Sequence, residues 1–128
     1  MKQRIENYIP KAIELVKKVK IANEKNEVKN EFNGYFSAFG AAIIQSGLKP
    51  ALAFYANEKT AKERSKILKA IYVLITNEDI EKPDELKGDK LLQYVINNSE
   101  QEEILKENII DASIALKLAV RTYKLVKS

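Results

Sequence analysis

Histidine, cysteine and tryptophan do not occur in this sequence. Without histidine the chain lacks the commonest general base, the triads built on it and the commonest zinc ligand. Without cysteine it has no disulfide, thiolate ligand or thiol nucleophile, which fits a reducing, intracellular setting. Long apolar runs are also missing, and none approaches the ~20 residues of a membrane span. Lys2 and Arg4 precede no signal-peptide core, because Glu6, Asn7, Pro10, Lys11 and Glu14 interrupt the segment. The expected location is the cytoplasm. Three prolines and four glycines punctuate the chain, with no repeat, low-complexity tract or linker.

At 128 residues, with 45% hydrophobic and 31% charged residues, residues 1–128 read as one globular domain with one core. The net charge of +4 is unevenly spread. Glu78 to Asp111 carries 11 acids against 4 bases, or −7, leaving 18 bases against 7 acids, or +11, elsewhere. Such asymmetry permits a polyanion-binding face.

Apolar spacing predicts an all-α bundle of five to six helices. Ile5, Tyr8, Ile9, Ala12, Ile13, Val16 and Val19 form the stripe of a first helix that kinks or begins at Pro10. A second helix runs from about Asn30 to Ser46, with Gly47 as its C′ residue, and a short third lies near Pro50 to Tyr55. Asn57 is placed to cap a fourth helix reaching about Thr76, and Asp89 to cap a short one through Ile96. Between them, Asn77 to Gly88 reads as a loop. Ser99 and Glu102 have capping-box spacing for a last helix of some 27 residues, roughly 40 Å long. No alternating strand pattern competes.

No catalytic, cofactor or metal motif emerges. The acids Glu78, Asp79, Glu81, Asp84 and Glu85 lack the glycine-spaced order of a calcium loop, and Gly47-Leu48-Lys49-Pro50 lacks the rest of a phosphate loop. The basic residues are more informative. Lys59, Lys62, Lys66 and Lys69 fall within about a quarter-turn of one another, opposite Ala61, Leu68, Ile71, Tyr72 and Ile75. Lys117, Arg121 and Lys124 form a second stripe, and Lys11 and Lys18 stack on the first helix. All nine are candidate RNA-phosphate contacts, salt-sensitive and sequence-tolerant. Ile114, Leu118 and Leu125 form a second apolar line on the last helix, sandwiched in the bundle or docked on another subunit.

From Phe32 to Leu48 there is no charged residue. Phe32, Tyr35, Phe36, Phe39 and Ile43 supply bulk, and a helix apolar nearly all round is expected at the centre of the core. Ser37, Gln45 and Ser46 are then the positions needing polar partners. The 22 residues from Gly34 to Tyr55 resemble the signature of the small subunit of the Cmr effector complex, the type III-B CRISPR ribonucleoprotein. Phe39-Gly40, Gln45-Ser46-Gly47-Leu48, Pro50 and Leu52-Ala53-Phe54-Tyr55 carry the resemblance, together with Tyr35 and Ser37. The chain departs from that pattern at Ala38, Ala42, Leu118 and Val120, while Arg121 matches it.

The resemblance implies a non-catalytic building block without a cofactor. Its partners would be other Cmr subunits, further copies of itself stacked in a filament, and guide and target RNA. Cleavage and signalling would belong to other subunits. Two other readings of the residues remain: a stand-alone helical nucleic-acid binder or regulator, and a small hydrolase using paired carboxylates.

Overall fold

A computed structural model describes residues 2–127. The elements are α1 (Lys2–Lys18), β1 (Glu27–Lys29), α2 (Glu31–Ser46), α3 (Leu48–Ala56), α4 (Lys62–Thr76), α5 (Lys90–Asn97), α6 (Glu102–Val120) and β2 (Lys124–Val126). Short 3-10 turns occupy Pro83–Glu85 and Ser99–Gln101. The six helices confirm the expected all-α bundle, to which β1 and β2 add a small parallel pair.

Side-chain ties fix the helix directions. Arg4, near the start of α1, donates to Asp111, midway along α6, at 2.7 Å, and the Tyr123 hydroxyl just past α6 donates to the Ile13 carbonyl further along α1 at 2.6 Å, so these helices run parallel. Lys117 donates to Ser37 of α2, and Lys49, in the first turn of α3 just past α2, pairs with Glu102, which sets α2 antiparallel to α6. Lys11 to Asn77 and Lys66 to the Lys20 carbonyl set α4 antiparallel to α1.

The central helix is α4. From Ile67 to Leu74 every residue is buried, and α1, α3, α5 and α6 all pack against it. This corrects the expectation for α2, which buries only Phe32, Phe36, Phe39 and Ile43. Those four form a narrow i, i+4, i+7, i+11 stripe, and the opposite face of the helix is open to solvent. Ser37, Gln45 and Ser46 are accordingly exposed and do not need internal partners.

Several boundaries also differ from expectation. α1 continues through Pro10 without a break. Pro10 and Glu6 both lie on the solvent side, so the Glu6 carbonyl that loses its intrahelical donor is accessible to water. Gly47 does end α2, with φ 98° and its N–H bonded to the Ile43 carbonyl. Asn57 caps the turn ahead of α4, accepting from the Lys59 and Thr60 amides, and not the helix itself. Asp89 and Ser99 make no side-chain cap; Ser99 sits in a 3-10 turn before α6.

The largest correction concerns α6, which stops at Val120 after 19 residues, about 28 Å. Thr122 bonds back to the Ala119 carbonyl at 2.7 Å, and the Tyr123 hydroxyl is anchored on α1, so the chain leaves the helical path. It then pairs with β1 in the register Glu27↔Lys124, Val28↔Leu125, Lys29↔Val126. Val28 is fully buried beneath this pair.

Candidate interaction surfaces

The basic residues divide into engaged and free. Lys69 is only 8% exposed; its Nζ lies 2.9 Å from Glu58 and donates to the Asp84 carbonyl at 3.0 Å. The stripe expected to face solvent is thus partly covered, because the acidic loop after α4 folds back along the helix. Gly88 in that loop packs so tightly on the Ala56 carbonyl that a side chain would collide with it. The Lys69 hydrogen bond in turn holds the Glu58 carboxyl below the ordinary glutamate range.

Lys66 is half-buried and bonded to Glu63 at 2.6 Å and to the Lys20 carbonyl at 3.0 Å. Burial pushes the Glu63 carboxyl up, but Lys66 and Lys29 outweigh it and the net shift is downward. Lys11 reaches Asn77 at 3.1 Å, and with Lys18 it borders a small cleft opposite Glu78 and Asp79. Lys117 donates to Ser37 Oγ at 2.6 Å. Lys59, Lys62, Arg121 and Lys124 are exposed and carry no ion pair among the described residues. Lys124 stands on β2 and not on the helix, so the Lys117-Arg121-Lys124 stripe is not a continuous helical one.

Folding brings further lysines to the same end of the bundle. Lys20, at φ 70°, borders one hollow of about 350 Å³ with Lys62, Lys66 and Lys69. It borders a second, of about 460 Å³, with Lys29, Lys66 and Lys127. Sequence periodicity could not group these residues because they come from a turn, a three-residue strand and the end of the chain. The run of bases at Lys17, Lys18 and Lys20 was the one visible signal.

The second surface is apolar. On α2, Gly34, Ser37, Ala38, Ala41, Ile44 and Gln45 are exposed, giving a solvent-facing helix side with no charge beyond Glu31 at its start. Ile44 is 79% exposed. Beside it on α6 stand Ile114 and Leu118, 41% and 42% exposed. A groove of about 220 Å³ runs between the helices, lined by Gly40, Ile44, Ile110, Ile114 and Lys117 among others. Leu125 does not extend this line: it is half-buried in β2, paired opposite Val28.

The remaining signature residues shape the α2–α3 corner. The Tyr55 hydroxyl donates to the Tyr35 carbonyl at 2.8 Å, and its ring packs on Phe39 at 5.0 Å between centroids. Burial raises the Tyr55 pKa, against the lowering influence of Arg64. Leu48 and Leu52 are buried, and Pro50 sits in the first turn of α3, where a missing N–H costs nothing. Phe54 is 65% exposed, with the Arg64 guanidinium 5.8 Å from its ring centre and 4.9 Å from that of Tyr35.

Among the described residues no group of acids could hold a metal, and no helix is long and apolar enough to cross a membrane. Fold and surfaces together define a small helical protein whose distinctive features lie on its outside: a helix face uncharged beyond its first turn and a basic end. The model of the CRISPR-associated protein family Cas_Cmr5 matches residues 4–119, and the chain belongs to that family. It is thus a small helical subunit of the type III-B Cmr complex, acting with other subunits. No curated protein and no solved structure matches it significantly.

Proposed function

We propose that the chain is a non-catalytic structural subunit of the RNA-guided Cmr antiviral complex, working in the cytoplasm. In this reading it stacks with further copies of itself and helps hold guide and target RNA through phosphate contacts. The observation that carries the reading is the exposed, uncharged side of α2 with Ile114 and Leu118 of α6 next to it. A solvent-facing helix side without charge, in a chain that is 31% charged, marks a surface meant to be covered by protein. RNA contacts fall to the free cations Lys59, Lys62, Arg121 and Lys124, joined by Lys18 and Lys20. Lys66 and Lys69 serve the fold first. No base-reading element accompanies these lysines, so the contacts follow phosphates and tolerate any sequence.

Reconstitution of the complex with and without this chain tests the reading. Omission should weaken assembly and target-RNA retention. Unchanged assembly and retention would refute it. With Lys62→Glu and Arg121→Glu together, the complex should hold RNA less tightly and with a shallower salt dependence, by roughly 0.7–0.9 in log–log slope per lost phosphate contact.

A further inference from the structure

One seam on α6 reads the same from both ends with the charges reversed. Glu103, Glu107, Ile110, Ile114, Lys117 and Arg121 follow one another at spacings of four and three residues, the spacing of a straight helical seam. Glu103, Glu107, Ile114 and Arg121 are exposed, Ile110 and Lys117 half-buried, and Arg121 keeps helical backbone angles at the helix end. Laid antiparallel on itself, the seam sets Glu103 opposite Arg121, Glu107 opposite Lys117 and Ile110 opposite Ile114. We propose that the free subunit forms a two-fold symmetric pair through this seam, with a second copy of the chain as the occupant of the apolar groove.

A separate part of the structure supports the same arrangement. The Ser37–Lys117 hydrogen bond fixes the stagger of α2 against α6. The two-fold that aligns the α6 seams then brings Ile44 of one copy over Gly40 of the other. Ile44 is the one large apolar side chain on the exposed side of α2, and a Cβ at Gly40 would meet nothing within 4 Å. A mid-helix glycine costs stability relative to alanine, and nothing within the subunit uses the space. In the pair, Ile44 fills it, twice. No charge from α2 lies near the contact, because beyond Glu31 in its first turn the helix carries none.

The seam runs over 19 residues, about 27 Å from the first to the last, and two helices abreast are about 20 Å wide. The pair therefore buries on the order of 1,000 Å², near the lower limit of specific interfaces, and is a weak, reversible dimer. It is closed, unlike the open stack of the assembled complex, since both copies use the same face. It also covers Lys117 and Arg121, so pairing and RNA contact through those residues exclude each other. The inference deepens the proposed subunit-contact role of Ile114, and it is read on the isolated chain, whereas that role is read on the reconstituted complex.

Sedimentation of the isolated chain from low to high micromolar concentration should show a monomer–dimer equilibrium and nothing larger. Glu103→Lys with Glu107→Lys, and separately Lys117→Glu with Arg121→Glu, should each be monomeric with an unchanged helical spectrum. Mixing the two variants should restore the dimer, because every facing pair is then of opposite sign. As a second measurement on this cysteine-free chain, Ile110→Cys mixed with Ile114→Cys should cross-link faster under oxidation than either alone. A wild type that stays monomeric or grows beyond the dimer, or a mixture that fails to associate or to cross-link preferentially, would overturn the proposal.

Discussion

Replacing Lys69 by alanine separates a lysine that holds the fold together from one that holds a ligand. Its ammonium lies almost out of solvent, between the Glu58 carboxylate at 2.9 Å and the Asp84 carbonyl at 3.0 Å. The carbonyl bond is charge-assisted and shielded, and such bonds contribute about 1.5–3 kcal/mol. Glu58 is 48% exposed, so its share is screened and adds at most a few tenths. Loss of the packed stem adds roughly 0.5–1 kcal/mol, which brings the total to about 2–4 kcal/mol. For a chain of this size that is a fall of about 7–15 °C in melting temperature. Differential scanning calorimetry of Lys69→Ala beside Lys62→Ala measures it, with Lys62→Ala expected within about 0.5 kcal/mol of wild type. Lys69→Met, which keeps the stem, should recover about a third of the loss. A Lys69→Ala protein that melts with wild type, yet loses RNA in the assembled complex, would refute the assignment of Lys69 to the fold.

Other outcomes follow from the same structure. Burial and the Glu78 carboxylate push the Tyr72 hydroxyl up to about 12, so the folded state holds that proton more tightly than the unfolded chain. Stability should be complete below pH 10 and fall between pH 10 and about 12, and in urea melts Tyr72→Phe should lose part of that alkaline decline. Arg4→Met leaves the buried Asp111 carboxylate unpaired and should cost about 2–3 kcal/mol, discounted because Arg4 is partly exposed. Arg4→Met with Asp111→Leu should regain most of it, a cycle read by chemical denaturation. Gly40→Ala should stabilise the dilute chain by about 0.5–1 kcal/mol and at the same time weaken its self-association in sedimentation.

The helix count was legible because periodic apolar stripes extend over several turns, but in α2 the narrow buried stripe of Phe32, Phe36, Phe39 and Ile43 was hidden in a helix apolar nearly all round. The absence of charge from Phe32 to Leu48 was legible too, but its meaning was not. A face covered by its own core and a face left for another chain need the same side chains, and only the placement of α4 at the centre distinguishes them. Lys69 looked like Lys62 in the sequence, since the carboxylate and carbonyl that bury it arrive from a turn before α4 and a loop after it. Lys124 and Leu125 continued the helical spacing of α6, and a three-residue strand is too short to contradict it by period. What ended the helix was Tyr123 binding α1, a tie across 110 residues that no local pattern carries.

That long-range tie bears on how the subunit is made. α1 is made well before α6, yet it packs most extensively along it, and Arg4 and Ile13 wait for Asp111 and Tyr123. Val28 is sealed only when Leu125 pairs across from it. Until α6 emerges, the amphipathic first helix can bury only the part of its apolar face that meets α4, and the bundle closes once α6 and β2 are available. A chain cut short ahead of Asp111 and Tyr123 therefore leaves most of the first helix's apolar face without its partner, and the completeness of the chain is written into the closure of its core.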